Sequence, residues 1–418
     1  MVPADKSISH RAAIFAAMAA GTVRIVNYLD AADTRSTLAA IGRLGARVES
    51  QDGELEITGP GLLGAQEPAW PIDVGNAGTL LRLLPGWLAF QAGTTFVLDG
   101  DESIRKRPVD RIAHPLALMG ASLEARESRF PPLTVHGAEL RGIEYELPVA
   151  SAQVKSCVLL AGLATDRTAV LEPVATRDHT ERMLLAAGAS VRRDRHGSGY
   201  RTIVEGGPPL ILERIEVPGD LSSAAFLLAA GAIVPGSQLV LENVGVNWTR
   251  AGFLRILARM GANVSGELEP DGGFEPAEPT TDLEVLHGPL HGTIVGPEEV
   301  PLAIDELPLV ALLGCFAEGE TVVHGAAELR LKESDRIATV VSGLRGLGAS
   351  IEPLADGFVV QGTGGLDGGE LDAHGDHRLA LLGAVAGLAS RDGVEVRGFE
   401  AAGVSYPGFR EQLRDLLA

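Results

Sequence analysis

The cations of this chain gather where chemistry could use them. Lys6 and Arg11 flank a polar segment, Lys6-Ser7-Ile8-Ser9, and Arg82 follows Asn76-Ala77-Gly78-Thr79. Arg105, Lys106 and Arg107 lie together in Gly100–Pro108, Lys155 follows Ser151-Ala152-Gln153, and Arg330, Lys332 and Arg336 share one loop. Arg378 stands beside His377 in Asp376-His377-Arg378. Guanidinium forks and ammonium groups beside Gly-rich or helix-starting segments suit phosphate and carboxylate groups. Asp305, Glu306, Glu333 and Asp335 stand among these cations. A carboxylate beside a bound anion is unfavourable unless it orients a hydroxyl or moves a proton, so proton transfer is the chemistry it suggests. Two plainer uses compete: ion pairing of Glu333 and Asp335 with Lys332 and Arg336, and helix capping by Asp305. His377, next to Arg378, reads as an anion contact.

The elements that must hold these residues form a repeat. A Gly-Ala-x-aliphatic tetrad occurs at Gly45, Gly120, Gly188, Gly261 and Gly348. Each follows an amphipathic stretch and precedes a strand-like one, so each reads as a helix stopped by a left-handed Gly before a strand. Between the tetrads, polar starts lead into Ala/Leu-rich runs at Lys6, Asn76, Ser151, Gly219, Ile304 and Gly375. The chain therefore reads as six copies of one α/β unit of roughly 70 residues. Helices apolar all round are buried helices, so helices inside and sheets outside are expected. A buried helix start exposes unpaired N–H groups and a partial positive charge, and six starts facing one cleft would trap anions. A binding-free α/β solenoid is the plainer alternative for such a repeat.

Length and composition set the remaining limits. With 418 residues the chain is too long for one core, and two domains of three repeats each are expected, with the boundary near Glu216 to Pro218. The formal net charge of -20 makes nucleic acid and anionic membranes poor partners. The longest apolar runs, 224–234 and 379–389, fall short of the roughly 20 residues that span a bilayer, and the start has no signal-peptide core. Cys157 and Cys315 sit in apolar helical runs and read as buried thiols, which suits a reducing cytoplasm. No P-loop is present, and no cluster has metal-ligand spacing.

Lys6-Ser-Ile-Ser-His-Arg-Ala12, Gly75-Asn-Ala-Gly-Thr79, Arg107-Pro108 and Ala150-Ser-Ala-Gln-Val-Lys-Ser156 resemble the 5-enolpyruvylshikimate-3-phosphate synthase family of enolpyruvyl transferases. So do Thr176-Arg-Asp-His-Thr-Glu-Arg182, Val217-Pro-Gly-Asp-Leu-Ser-Ser223, Ile304-Asp-Glu306, Lys332-Glu-Ser-Asp-Arg336 and Asp376-His-Arg378, in order along the whole chain. The resemblance implies a two-domain inside-out α/β barrel, with 4–216 as the first domain and 1–3 with 217–418 as the second. It implies transfer of enolpyruvate from phosphoenolpyruvate to the 5-hydroxyl of shikimate 3-phosphate through a tetrahedral intermediate, with release of phosphate. It implies no metal or organic cofactor, and a cytoplasmic monomer.

Carried over by motif, Lys6, Ser7, Arg11, Ser151, Gln153, Asp305 and Lys332 are expected to bind shikimate 3-phosphate. Lys6, Asn76, Gly78, Arg107, Gln153, Arg336, His377 and Arg378 are expected to bind phosphoenolpyruvate. Asp305, Glu333 and Lys6 are the expected catalytic residues: Asp305 accepts the hydroxyl proton, and Glu333 exchanges the proton at the methylene carbon. Three departures stand out. The family's strand before the Lys-Ser motif has little counterpart ahead of Lys6, its usual Gly is Ala4, and Val404 stands where some relatives place a Lys. Two other readings are the sister enzyme acting on UDP-N-acetylglucosamine and a non-catalytic phosphate-binding protein. The sister enzyme usually has Lys-Asn at the first start and a Cys in the mobile loop. Here the start is Lys6-Ser7, and 102–107 has no Cys.

Overall fold

A computed structural model describes residues 1–51 and 53–417. They form two compact units. One holds Ala4–Val217 together with Phe274–Glu278; the other holds Met1–Pro3, Pro218–Gly273 and Pro279–Ala418.

Each unit carries three central helices. In the first these are Lys6–Met18, Gly78–Leu88 and Ala152–Gly162. In the second they are Leu221–Ile233, Leu307–Phe316 and His377–Ala389. Their sequences are rich in small and aliphatic residues, so most of each surface has no reason to meet water. Every residue of Leu221–Ile233 is buried, and so is every residue of Lys6–Met18 from Ile8 onward. Each unit builds its own apolar core around its three helices.

Many strands alternate between buried and less buried positions, as a sheet with one wet face requires, while Thr168–Leu171 and Gly199–Glu205 are buried at nearly every position. One sheet serves as the pattern. Ile72–Asp73 runs parallel to Thr95–Asp99, which pairs antiparallel with Phe130–His136, which in turn pairs antiparallel with Ser122–Arg126. Phe96 faces Val135 and Leu98 faces Leu133, and all four point into the core. The same order recurs three times, centred on Thr22–Val26, Thr168–Leu171 and Glu320–Val323. The remaining sheets have three strands (Gln238–Gly245, Thr280–Leu286, Asn263–Ser265) and two (Gly369–Asp372, Val394–Arg397). The fold is thus an α/β repeat with buried helices under half-exposed sheets. All five tetrad glycines have positive φ, from 78° at Gly188 to 110° at Gly120, the left-handed stop the sequence calls for.

Phe274–Glu278 lies within the first unit, held by three side chains. The Arg193 guanidinium stands 4.0 Å from the Phe274 ring centre and 4.4 Å from that of Tyr200. Arg182 Nη1 donates to the carbonyls of Glu275 and Ala277 at 3.3 and 3.1 Å. His179 Nδ1 lies 2.6 Å from Glu278 Oε1.

Candidate active site

In the first unit, three helix starts are tied together by side chains. Arg82 Nη1 donates to Gln153 Oε1 at 2.8 Å, and Gln153 Nε2 donates to Thr79 Oγ1 at 3.2 Å. Arg11, on the Lys6–Met18 helix, donates from Nε to Thr180 Oγ1 at 2.8 Å, from Nη2 to Ser156 Oγ at 3.0 Å and from Nη1 to the Ser7 carbonyl at 3.0 Å. Lys6 Nζ is 3.0 Å from Asp33 Oδ2. Arg107 Nη2 donates to Asn76 Oδ1 at 3.1 Å, while Asn76 Nδ2 donates to Asp101 Oδ2 at 2.7 Å. Arg107 also crosses directly over Gly78, where a Cβ would stand 2.5 Å from Arg107 Nη1. The expected residues Lys6, Ser7, Arg11, Asn76, Gly78, Arg107, Ser151 and Gln153 therefore all belong to this unit.

Burial is the main influence on Arg11, lowering its pKa to about 10; Glu181 and Asp5 oppose it, and the positive charge of Arg177 adds to it. The charge of Arg177 is thus felt at Arg11. Arg177 was not singled out by spacing. Its only sequence signal was its place in the Thr176–Arg182 motif.

The second unit holds Asp305, Lys332, Glu333, Arg336, His377 and Arg378. Arg336 is their hub. Its Nε donates to Asp376 Oδ2 at 2.8 Å, its Nη2 to Glu333 Oε2 at 2.6 Å, and its Nη1 to Asp305 Oδ1 at 3.3 Å. Lys332 Nζ is also 3.3 Å from Asp305 Oδ1, and Arg378 Nη1 donates to the Asp305 carbonyl at 3.1 Å. Burial opposes the charge on Arg336, but Asp376, Glu333 and Asp305 outweigh it and raise its pKa, so the guanidinium stays charged. Burial likewise pushes Asp376 up, yet Arg336 and His377 prevail and hold it below the ordinary carboxylate value. The cluster therefore sets permanent cations beside two partly exposed carboxylates, Asp305 and Glu333.

The structure corrects several expectations about individual groups. Four of the six central helix starts carry a side-chain cap, whereas those of Gly78–Leu88 and Leu307–Phe316 do not. Asp5, Asp220 and Asp376 cap theirs by accepting from the N–H groups of Ile8, Ser222 and Arg378, and Ser151 accepts from Val154 at 3.4 Å. An Asp at a buried start satisfies the same amides an anion would use. Lys155 does not serve the site: it is 1% exposed, with Nζ 3.0 Å from Glu172 and 2.7 Å from Glu181. Arg105 is bound to Asp99, and Arg330 to Asp335 and two carbonyls. Asp335 caps Arg336–Gly346, whereas the N-cap position before Leu307 is held by Glu306 and not by Asp305.

Comparison with known proteins shows the family. The model of the EPSP synthase (3-phosphoshikimate 1-carboxyvinyltransferase) family matches residues 1–413. A 3-phosphoshikimate 1-carboxyvinyltransferase of Acidithiobacillus ferrooxidans is 48% identical over 411 residues, covering 98% of this chain and 92% of that protein. One from Brevibacillus brevis is 46% identical over 414 residues, covering 99% and 95%. The solved EPSP synthase of Acinetobacter baumannii superposes with a TM-score of 0.86 at 42% identity, covering 100% of this chain and 94% of that one. A match of this extent takes in both side-chain sets and both units that carry them, and the chain belongs to the EPSP synthase family.

Proposed function

We propose that the protein carries out its family's reaction, transfer of the enolpyruvyl group of phosphoenolpyruvate to the 5-hydroxyl of shikimate 3-phosphate, with the two side-chain sets described above. The hydroxyl oxygen bonds to C2 of phosphoenolpyruvate and C3 takes up a proton. The resulting tetrahedral intermediate then loses phosphate as the C2–O bond breaks and C3 returns a proton. Lys6, Ser7, Arg11, Ser151, Gln153 and Lys332 hold shikimate 3-phosphate, and Arg177 joins Arg11. Lys6, Asn76, Gly78, Arg107, Gln153, Arg336, His377 and Arg378 hold phosphoenolpyruvate. Asp305 takes the hydroxyl proton and Glu333 serves C3. Proximity and fixed charge supply most of the acceleration, because both reactants are anions that water keeps apart. Two buried free thiols suit a reducing cytoplasm for this work.

The supporting observation is that Asp305 and Glu333 share one guanidinium, that of Arg336. Substrate anions and these carboxylates compete for the same cations. An anion seated on Arg336 releases a carboxylate beside the reacting atoms, where it acts as a base. Asp305→Ala tests this. Phosphate release is expected to fall at least ~10²-fold, while calorimetric affinity for shikimate 3-phosphate stays within a few-fold. Wild-type turnover in that variant would remove Asp305 from the mechanism.

A further inference from the structure

Glu306 sits at the N-cap position of Leu307–Phe316, yet its side chain caps nothing. Its carboxylate turns instead to two other helix starts. Ser222 Oγ donates to Glu306 Oε1, and Arg378 Nη1 lies 3.5 Å from the same oxygen. Ser222 Oγ in turn accepts from Arg250 Nη2 at 2.8 Å, and that nitrogen also donates to Asp220 Oδ1 at 3.0 Å. A continuous polar chain therefore runs Asp220–Arg250–Ser222–Glu306–Arg378. Its members are 6%, 5%, 4%, 2% and 9% exposed.

A buried carboxylate is retained only with partners, and these partners are directional. Arg378 Nη1 is drawn to two adjacent acceptors, the Asp305 carbonyl at 3.1 Å and Glu306 Oε1 at 3.5 Å. The Nη2 contact to Asp305 Oδ2, at 3.7 Å, is too long to be a hydrogen bond. Glu306 and the Asp305 carbonyl thus hold one edge of the guanidinium, while the other makes only the longer ion-pair contact to Asp305. A long side chain held in place beforehand loses less freedom when it grips an anion. Charge balance alone would not require this residue, since Asp305 and Asp376 already face the neighbouring cations.

We propose that Glu306 is a positioning residue for the transfer. It presets Arg378 for the anionic group of phosphoenolpyruvate, and Ser222 and Arg250 hold Glu306 itself in place. This rests on the reading of Arg378 as a phosphoenolpyruvate ligand. The test is steady-state kinetics of Glu306→Gln, Ser222→Ala, Arg378→Lys and the double variant Glu306→Gln/Arg378→Lys. Glu306→Gln keeps the shape and an acceptor for Ser222 but loses the charge. It should raise KM for phosphoenolpyruvate about 3- to 30-fold, leave KM for shikimate 3-phosphate unchanged, and move kcat by less than about threefold. Ser222→Ala should shift the same constant in the same direction, by less. In the Arg378→Lys background Glu306→Gln should add nothing. If Arg378→Lys raises that KM while Glu306→Gln is silent, or acts undiminished in the double variant, the positioning role is overturned. Parallel losses in kcat and both KM values that track a lowered Tm would overturn it as well. If Arg378→Lys leaves KM for phosphoenolpyruvate unchanged, the ligand reading itself fails and takes the proposal with it.

Discussion

Among individual residues, Gly78 leaves room for Arg107 that a side chain would take away. A methyl group at position 78 would meet Arg107 Nη1 at 2.5 Å, so the guanidinium must move to admit it. Arg107 is also held by Asn76, and Asn76 by Asp101, so its freedom to adjust is small. Gly78→Ala should therefore raise KM for phosphoenolpyruvate roughly tenfold or more, with KM for shikimate 3-phosphate little changed. Equal effects on both constants would place Arg107 on the wrong substrate. The opposite case is Lys155, a cation by sequence that its neighbours fully occupy. Burial works against its charge, but Glu172 and Glu181 outweigh burial and raise its pKa. It holds the first unit together rather than a ligand.

Among elements, the Thr176–Arg182 segment and the helix His179–Ala186 that it leads into do more than the repeat requires. Thr176 binds Glu172, Asp178 pairs with Arg182 and Arg193, Thr180 accepts from Arg11, and Glu181 pairs with Lys155. His179 and Arg182 also hold Phe274–Glu278. Burial tends to raise the Glu278 carboxyl, and Asp178 adds to that. The His179 partner and its hydrogen bond prevail with help from Arg182, so the carboxyl lies below its ordinary value. A depressed folded-state pKa gives stability that is present above the unfolded value, near 4.3, and lost as pH falls through the folded one. Glu278→Gln should lower Tm at pH 7, and the gap from the parent should close as pH drops below about 4. A gap that is the same at pH 7 and pH 3.5 would show that the charge on Glu278 contributes nothing.

For the whole molecule, a formal charge of -20 repels the anionic substrates of the family's reaction. The two cationic sets act at contact distance, whereas the acidic excess acts from far off. Salt removes far interactions first, since the Debye length is about 8 Å at physiological ionic strength. Between about 0.02 and 0.15 M of a weakly competing salt, kcat/KM for phosphoenolpyruvate should hold or rise, and change less than about threefold. A tenfold fall would mean that the net field attracts substrate despite the acidic excess.

The repeat, the buried helices and the Gly stops are legible in the residues because each is local. An apolar run, a cap or a left-handed Gly is fixed by neighbours a few positions away, and all five tetrad glycines take the conformation their spacing calls for. The site's class was legible too, in cations and carboxylates gathered at those stops and starts. How their side chains pair in space was not. Arg11 is held by Thr180, 169 residues away, Arg336 by Asp376, 40 away, and Glu306 by Ser222, 84 away. Lys155, Arg105 and Arg330 look like ligands along the chain and are ion-paired in space. Phe274–Glu278 gives no sign in the sequence of the unit it joins, because burial and charge pairing depend on distances through space that chain order does not record.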